Sequence, residues 1–375
     1  MRVLITGADG FIGKNLTVHL AERQDIVLSR FTSSDNISSL AELVLNSDFI
    51  FHLAGVNRPQ NSEEFSIGNI DLTKSLCDAI ILSGRQLPVL YTSSIQAELG
   101  SPYGQSKLGA ENALLTLSKE HGSDVYIARL PNVFGKWAKP NYNSVVATFC
   151  HNIAYGLPIQ INDPSSPIRL VYVDDVIERF IDVMDSKNAE VPFLNIKPEY
   201  SITVGELSLQ IKAFRESRDN LITEAVGSGL TRALYSTYLS YLPPADFSYK
   251  VPRHEDPRGV FVEMVKSQDS GQISFFSAHP GVTRGGHYHH SKNEKFLVIT
   301  GQACFRFCHV VTGDFYELHT TGEKSEIVET VPGWTHDITN EGETEMFVAL
   351  WANEVFDRNK PDTYASPIEP QDNLI

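Results

Sequence analysis

Three glycines directly after the first apolar run limit the fold of this chain more than any other feature. Val3–Thr6 reads as a short strand, and Gly7, Gly10 and Gly13 follow it with the spacing G-x-x-G-x-x-G. The next apolar residues recur at helical spacing and are Phe11, Ile12, Leu16 and Leu20. Gly7 permits a tight turn, Gly10 lets a pyrophosphate approach the helix N-terminus, and Gly13 lets the helix pack closely on the strand. The motif therefore predicts a dinucleotide-binding loop.

Length, charge and cysteine content exclude several classes of protein. The 375 residues suffice for two domains, and 42% hydrophobic with 21% charged residues is typical of a globular chain. The formal net charge of −15 argues against nucleic acid and anionic membrane as partners. No apolar run approaches the ~20 residues of a membrane helix, no signal peptide is visible, and four cysteines do not indicate a disulfide framework. We therefore expect a cytoplasmic protein.

The hydrophobic pattern changes once along the chain. Up to about residue 240, apolar runs alternate with helical patterns, which predicts a Rossmann-type, doubly wound parallel α/β sheet. After Leu242–Ala245 the chain reads as short strands and glycine turns, which predicts an all-β sandwich or barrel. The predicted domains are therefore 1–245 and 246–375, and we expect the proline-rich tail after Asp357 to pack as a strap or to fray. The predicted strands of the first domain are Val3–Thr6, Ile26–Leu28, Phe49–Ala54, Val89–Ser94, Val125–Leu130 and Val191–Ile196.

The end of the predicted second strand indicates which coenzyme the glycine loop binds. An acidic residue about 20 positions after the loop would bind the ribose 2′-hydroxyl of NAD. This chain has Ser29 and Arg30 at that point instead. Because a guanidinium pairs well with a phosphate, Arg30 favours the 2′-phosphate of NADPH. The alternative is a solvated arginine at a strand end.

A tyrosine and a lysine four residues apart predict a proton-transfer site. Tyr103 and Lys107 would share one face of a helix, and the strand before them ends in Ser93 and Ser94. A phenol needs help to exchange a proton near neutral pH, so we expect the Lys107 ammonium to lower the pKa of Tyr103 and to reach the nicotinamide ribose. Ser94 would hydrogen-bond the carbonyl that is reduced, and Ser93 is the alternative.

Up to about residue 240 the chain resembles the extended short-chain dehydrogenase/reductase family. Besides the three glycines and the tyrosine–lysine pair, the matching pieces are His52–Gly55, Asn69–Thr73, Pro131–Gly135 and Arg169–Val176. The chain departs from the family in one respect, because Ser94 and Tyr103 are only nine residues apart (103 − 94). This spacing predicts a trimmed loop before the tyrosine and an open active site.

The resemblance implies roles for further residues. It places the nicotinamide against Pro131, Asn132 and Val133, and it places a nucleotide-sugar against Arg169 and the segment after Asn132. The remaining coenzyme contacts that it implies are Phe11, Ile12, Leu53, Ala54, Gly55 and Asn69.

A histidine-rich pattern in the second half predicts a metal site. His287 and His289 would point to the same side of a strand, Glu294 follows on the next strand, and His336 completes a set of four. Histidines with one carboxylate suit Zn²⁺ or another first-row divalent ion. The residues resemble both metal motifs of the cupins, which implies a jelly-roll fold, although Glu326 stands where that family usually has a glycine. The alternative is a histidine-rich barrel mouth without metal.

The same half also resembles the nucleotide 4-keto-6-deoxysugar 3,5-epimerases, which are cupin-fold enzymes. The matching segments are Asp256–Glu263, Arg284–Tyr288 and Lys295–Val298. This resemblance implies that His287 is a general base and that Lys295 is an active-site lysine. Because His287 cannot easily be both ligand and base, the complete metal spacing favours a ligand. Lys295 is then the candidate base or enolate stabiliser.

As a whole, the chain resembles the bifunctional capsule and O-antigen enzymes of UDP-N-acetyl-L-fucosamine synthesis. That resemblance implies C3 epimerisation of a UDP-2-acetamido-2,6-dideoxy-4-hexulose by the second domain, followed by NADPH-dependent C4 reduction by the first to UDP-2-acetamido-2,6-dideoxy-β-L-talose. One alternative is a lone ketosugar reductase with a non-catalytic second domain that binds or dimerises. Another is a regulatory NADPH sensor, which the Tyr103/Lys107 pair argues against. A homodimer is expected by default.

Overall fold

The computed structural model describes residues 1–59, 61, 63–186, 192–251, 253–256, 259–262, 265–267, 271–354 and 359–368. The chain divides into two compact units, Met1–Ser144 with Ile168–Ser201 and Val145–Pro167 with Ile202–Ile375. The second unit therefore begins with helical segments, whereas the sequence analysis put its boundary where the strands begin. The boundary at residue 245, as a division between two activities, stays a prediction.

The first unit is built around a five-stranded parallel sheet with the order β2-β1-β3-β4-β5. Its strands are β1 Arg2–Thr6, β2 Val27–Phe31, β3 Phe49–His52, β4 Val89–Ser94 and β5 Val125–Leu130. The central strands are buried on both faces because helices cover a doubly wound sheet on both sides. A three-stranded sheet follows, made of β6 Asn132–Phe134, β7 Pro167–Tyr172 and β8 Glu199–Thr203. The predicted α/β fold is confirmed, and the carboxyl ends of β1, β3 and β4 lie side by side.

One predicted strand is wrong. In place of Val191–Ile196, the described residues 192–196 form only an isolated bridge between Phe193 and Ile127. Pro192 has no N–H group to donate, so this apolar run cannot continue a ladder. The helices of the first unit are α1 Phe11–Ala21, α2 Leu40–Leu45, α3 Glu63–Phe65, α4 Leu72–Leu82, α5 Pro102–His121 and α7 Val173–Ser186.

The second unit contains two antiparallel five-stranded sheets, which confirms the predicted all-β jelly-roll region. Their strand orders are β10-β19-β16-β21-β14 and β18-β17-β20-β15-β22. The strands of the first of these sheets are β10 Ser248–Lys250, β14 Gln272–Ala278, β16 Glu294–Thr300, β19 Glu326–Glu329 and β21 Met346–Ala352. Those of the second are β15 Thr283–Tyr288, β17 Gln302–His309, β18 Phe315–Thr321, β20 Trp334–Asn340 and β22 Tyr364–Ala365. Short strands complete the unit, namely β9 Ile222–Thr223, β11 Arg253–Asp256, β12 Gly259–Val262 and β13 Lys266–Ser267.

Helices also belong to the second unit, and two of them lie against its first sheet. They are α6 Val145–Ala154, α8 Val204–Asn220 and α9 Gly229–Leu239. Arg218 of α8 and Tyr235 of α9 both contact Glu329 of β19. Among the described residues, no helix is long and apolar enough to cross a membrane.

Candidate active site and metal centre

The glycine loop leaves no room for side chains at two of its three glycines. Gly7 has a φ of +71°, and a Cβ there would lie 2.6 Å from the amide nitrogen of Ala54. A Cβ on Gly13 would overlap the carbonyl oxygen of Gly7. Gly10 is the N-cap of α1 and provides no side-chain cap. Within the described residues, the first N–H groups of α1, from Phe11 onward, therefore receive no cap from the side chain of the N-cap residue and are suited to an anion.

The predicted coenzyme residues after β3 converge with Lys107, the predicted catalytic lysine. The N–H of Leu53 donates to the carbonyl of Thr6 at 3.1 Å, which joins the ends of β3 and β1. A Cβ on Gly55 would lie 2.7 Å from Oδ1 of Asn69 and 3.1 Å from Nζ of Lys107. Gly55 therefore lets Asn69 and Lys107 reach the backbone beside the glycine loop.

The buried side chain of Asn69 links two segments in this region by hydrogen bonds. Its Oδ1 accepts the N–H of Val56 at 2.9 Å, and its Nδ2 donates to the carbonyl of Val56 at 3.0 Å and to Oγ of Ser106 at 2.9 Å. All its hydrogen-bonding groups are thus used inside the protein. Asn69 orders the loop that would line the coenzyme.

Ser94, rather than Ser93, faces Tyr103, the predicted proton donor. A hydrogen bond links the hydroxyls of Ser94 and Tyr103. Oγ of Ser93 instead donates to the buried carboxylate of Glu111. The nine-residue spacing suffices because a single 3₁₀ turn leads from β4 to Ser101, which caps α5 by accepting the N–H of Gly104 at 3.0 Å.

The pKa values of Tyr103 and Lys107 differ from the expectation. Burial raises the pKa of Tyr103, and the hydrogen bond from Ser94 offsets this only in part. Burial lowers the pKa of Lys107 to about 8, against a partial opposing effect of Glu111. Nζ of Lys107 donates to the carbonyl of Thr92 at 3.0 Å. The predicted lowering of the phenol pKa by this ammonium is therefore not observed, because burial dominates, and Tyr103 carries its proton at neutral pH.

Arg30 lies beside the glycine loop and contacts an acid that the sequence analysis overlooked. Its Nη2 donates to Oδ1 of Asp9 at 2.6 Å. The Arg30 and Asp9 side chains are 51% and 59% exposed, so the pair is easily exchanged for another anion. The signal for Asp9 was its position between two of the loop glycines.

A cleft of about 440 Å³ contains the predicted substrate arginine. Arg169 lines it together with Arg129, Glu98 and two apolar residues of the turn after β4. Nη2 of Arg169 also donates to Glu199 at 3.0 Å. Arg129, which the sequence analysis missed, is held by the buried Glu111 at 2.9 and 2.6 Å.

The three residues predicted to abut the nicotinamide directly follow the carboxyl end of β5. Pro131 connects β5 to β6, and Val133 of β6 pairs with Val171 of β7. Nδ2 of Asn132 donates to the carbonyl of Arg169 at 3.1 Å. Asn132 therefore ties this segment to the arginine strand.

The four predicted metal ligands meet in the second unit. His287 and His336 are directly opposite each other on β15 and β20, and each of the four residues offers a ligand atom within 4.8 Å of the others. Nε2 of His289 lies 3.2 Å from Oε2 of Glu294, and Nε2 of His336 lies 3.6 Å from the same atom. The four residues selected from the sequence therefore form a cluster in the structure.

The cluster has the properties that a divalent ion requires. His336 is buried, and neither of its ring nitrogens makes a hydrogen bond within the part of the chain that the structure describes. Burial and the neighbouring histidines lower the pKa of His287 to about 4. Burial opposes ionisation of Glu294, but the adjacent imidazoles of His289 and His336 outweigh it and hold the pKa of Glu294 well below its usual range. Neutral imidazoles around one carboxylate fit Zn²⁺ or a similar ion.

Lys295 does not belong to this cluster, which argues against its predicted role as a base. Its neighbour Glu294 points into the cluster, and successive side chains of a strand point to opposite faces. Nζ of Lys295 donates to the hydroxyl of Tyr249 at 2.8 Å and lies 3.2 Å from Glu329. Burial alone would lower the pKa of Lys295, but Tyr235, Glu329 and Tyr249 raise it above its usual range. Lys295 is therefore a buried cation with its proton held.

Comparison with known proteins identifies the family. A model described as "NAD dependent epimerase/dehydratase family" matches residues 3–196, just over half of the chain. The chain belongs to this family. A second model, "Polysaccharide biosynthesis C-terminal domain", matches residues 254–364. Membership of the first family implies a nicotinamide coenzyme for this epimerase/dehydratase-family protein, as the glycine loop predicted.

Two of the similar proteins cover almost the whole chain. UDP-2-acetamido-2,6-beta-L-arabino-hexul-4-ose reductase of Pseudomonas aeruginosa is 62% identical over 98% of this chain and 99% of its own length. The crystal structure of capsular polysaccharide assembling protein CapF of Staphylococcus aureus has 42% identity, covers 98% of this chain and 100% of its own, and has a TM-score of 0.68. A dTDP-4-dehydro-6-deoxyglucose reductase of Escherichia coli is 26% identical over 60% of this chain and 87% of its own length. The resemblance predicted from the sequence is confirmed.

Proposed function

We propose that this protein is a bifunctional nucleotide-sugar enzyme. Its second domain epimerises C3 of a UDP-2-acetamido-2,6-dideoxy-4-hexulose, and its first domain reduces C4 with NADPH to UDP-2-acetamido-2,6-dideoxy-β-L-talose. The observation that carries the reductase is the 62% identity, over 98% of the chain, to an enzyme named for reduction of a UDP-4-ketosugar. The second domain's four-residue cluster supports the epimerase.

The first unit's residues suit the acid side of ketone reduction. When bound, NADPH supplies the hydrogen and electron pair that the carbonyl carbon receives. The hydroxyl of Tyr103 gives its proton to the oxygen at C4, so that the ketone becomes an alcohol and the phenol is reprotonated from solvent. Its raised pKa keeps that proton in place until the oxygen becomes basic. Ser94, which hydrogen-bonds Tyr103, orients the same oxygen.

Charge in the same unit suits the substrate and the coenzyme. Arg169 and Arg129 supply two guanidinium groups to one cleft, which matches the diphosphate of a UDP-sugar. Arg30 would exchange Asp9 for the 2′-phosphate, which favours NADPH.

In the second unit, His287, His289, Glu294 and His336 would hold Zn²⁺ or another first-row divalent ion. When bound, the ion supplies a Lewis acid beside the ketone. Epimerisation removes the proton at C3, α to that ketone, and returns one from the other face, with no net change in composition. The ketone survives this step and is the group that the first unit reduces.

The decisive experiment separates the two steps. Tyr103→Phe should lower NADPH oxidation with the UDP-4-ketosugar by a factor on the order of 10²–10⁴, since it deletes the acid. Solvent deuterium should still enter at C3 at the wild-type rate. Tyr155→Phe, at a half-exposed tyrosine, is the matched control and should change neither NADPH oxidation nor the entry of deuterium at C3. Loss of deuterium exchange in Tyr103→Phe would contradict the division of labour.

The alternative is a single-activity reductase whose second domain only binds or dimerises. The name of the Pseudomonas relative, which mentions reduction alone, favours this alternative. His336→Ala distinguishes the two functions. The bifunctional enzyme loses deuterium incorporation and still reduces a substrate already epimerised at C3, whereas the single-activity reductase incorporates no deuterium in either form.

We also propose that the protein is a homodimer. The edge strand β14 exposes 69% of Ile273 and 75% of Phe275, and Phe347 on the adjacent β21 is 39% exposed. An edge strand with exposed apolar side chains is a template for association, and a second copy presents the same patch. Phe275→Glu should convert the dimer to a monomer in light scattering, whereas Leu82→Glu, at another exposed apolar residue, should not.

A further inference from the structure

A segment near the C-terminus lies on the strand that carries the first metal ligand. We call residues 359–368 the strap. Its strand β22 pairs with β15, so that Ala365 is opposite His287 and Tyr364 is opposite Tyr288. The N–H of Ser366 also donates to the carbonyl of Gly286 at 2.8 Å. The strap therefore contacts the backbone on both sides of His287.

Within the strap, the carboxylate of Asp362 holds the loop between the second and third ligands. It accepts three consecutive main-chain N–H groups, those of His290 at 3.0 Å, Ser291 at 2.9 Å and Lys292 at 2.7 Å. It also accepts the hydroxyl of Ser291 at 3.0 Å. These four bonds fix the loop that leads from His289 to Glu294.

The main chain of the same residue contacts a metal ligand directly. The carbonyl oxygen of Asp362 lies 2.6 Å from Nδ1 of His289. Because a carbonyl can only accept, Nδ1 carries the proton of the neutral ring, which leaves Nε2, 3.2 Å from Oε2 of Glu294, as the nitrogen that can bind an ion. Asp362 has a φ of +38°, so its carbonyl is presented from a backbone conformation that its own side-chain bonds help to hold.

We propose that Asp362 is a positioning residue for the metal centre. Its carboxylate orders the 290–292 loop, and its carbonyl selects the His289 tautomer that can bind an ion through Nε2. The proposal rests on metal binding by the four clustered residues. Partners that hydrogen-bond a ligating histidine from outside typically change metal affinity by about 10–100-fold.

The test compares metal retention in four full-length proteins. Asp362→Gly removes the carboxylate without adding strain at a positive φ, and Asp362→Asn keeps the volume and one acceptor oxygen. Ser366→Ala is the matched control, because it breaks a different bond of the strap, the one from Thr335 at 2.9 Å. Zn²⁺ content is measured by mass spectrometry, and Zn²⁺ loss is timed in excess chelator. Spectra of Co²⁺-loaded protein report the ligand set, and NADPH binding to each variant confirms that the first unit is folded.

The expected order is clear. Asp362→Gly should release Zn²⁺ 10–100-fold faster than wild type, Asp362→Asn should be intermediate with an altered Co²⁺ spectrum, and Ser366→Ala should match wild type. Equal retention in wild type and both Asp362 variants would overturn the proposal. Wild type that retains no metal would instead overturn the proposed metal centre. If Asp362→Gly does not fold, Asp362→Asn alone decides. A wild-type rate of Zn²⁺ release from Asp362→Asn would then contradict the positioning role of Asp362.

Discussion

Replacement of Glu329 tests the conclusion that Lys295 is structural. Glu329 is 1% exposed and lies between two cations, with its Oε2 2.6 Å from Nη1 of Arg218 and its Oε1 3.2 Å from Nζ of Lys295. Glu329→Gln leaves both cations buried without a counter-charge, which costs about 3–5 kcal/mol of unfolding free energy. Lys295→Met leaves the Arg218–Glu329 pair balanced, so its cost should be smaller, at about 2 kcal/mol.

The assay is thermal unfolding of the full-length protein, with the transition of the second unit followed by calorimetry. A loss of 3–5 kcal/mol lowers the midpoint of a unit of this size by roughly 6–20 °C. Glu317→Gln is the control, since its pair with His319 is 43% and 57% exposed and should contribute less than about 1 kcal/mol. The reasoning is refuted if Glu329→Gln melts like Glu317→Gln. It is also refuted if Lys295→Met melts like wild type yet loses deuterium exchange at C3, because Lys295 would then be catalytic.

Three further predictions concern the first unit. Arg30→Ser should weaken NADPH binding about 10–100-fold, because a charged hydrogen bond is lost, and should leave NADH binding unchanged. Fluorescence titrations with each coenzyme measure both affinities. An equal loss for both coenzymes would contradict the role of Arg30. Because the pKa of Lys107 is lowered to about 8, kcat/KM should fall as pH rises through 8, and Lys107→Arg should remove this fall; an unchanged profile would count against a catalytic ammonium. Burial and Lys107 lower the pKa of His52 to about 3, below its ordinary 6.5, so folding excludes a proton and stability is lost as pH drops below 6.5. Between pH 7 and 4.5, wild type should lose about 2–3 kcal/mol more than His52→Gln in urea unfolding, and parallel losses would disprove the assignment.

Local motifs were predictable because their physics is contained in a few adjacent residues. The glycine loop needs only a strand, a turn and a helix start, and the structure places Gly7 and Gly13 where no side chain fits. The clustering of the four proposed metal residues was predictable for a related reason. His287 lies on β15, His289 directly follows that strand, and a short loop leads on to Glu294 at the start of β16.

Features that depend on distant packing were not predictable. The sequence near Lys295 does not indicate that Arg218 and Tyr235, on helices far earlier in the chain, would surround Glu329. The Lys107 ammonium was expected to lower the pKa of the Tyr103 phenol, but burial dominates that pKa and raises it. Arg129 carried no motif, and only the cleft reveals it. In each case the deciding surroundings come from tertiary packing, which no local stretch of the sequence contains.

The pairing of the strap with β15 has a consequence for how the protein matures. All four proposed metal ligands are translated before Asp362, yet the His289 tautomer depends on a carbonyl that comes 73 residues later. During synthesis, the nascent second unit can therefore form its sheets while its ion site is still loosely held. Firm metal capture would be a late event in biogenesis, and it would follow docking of β22 on β15.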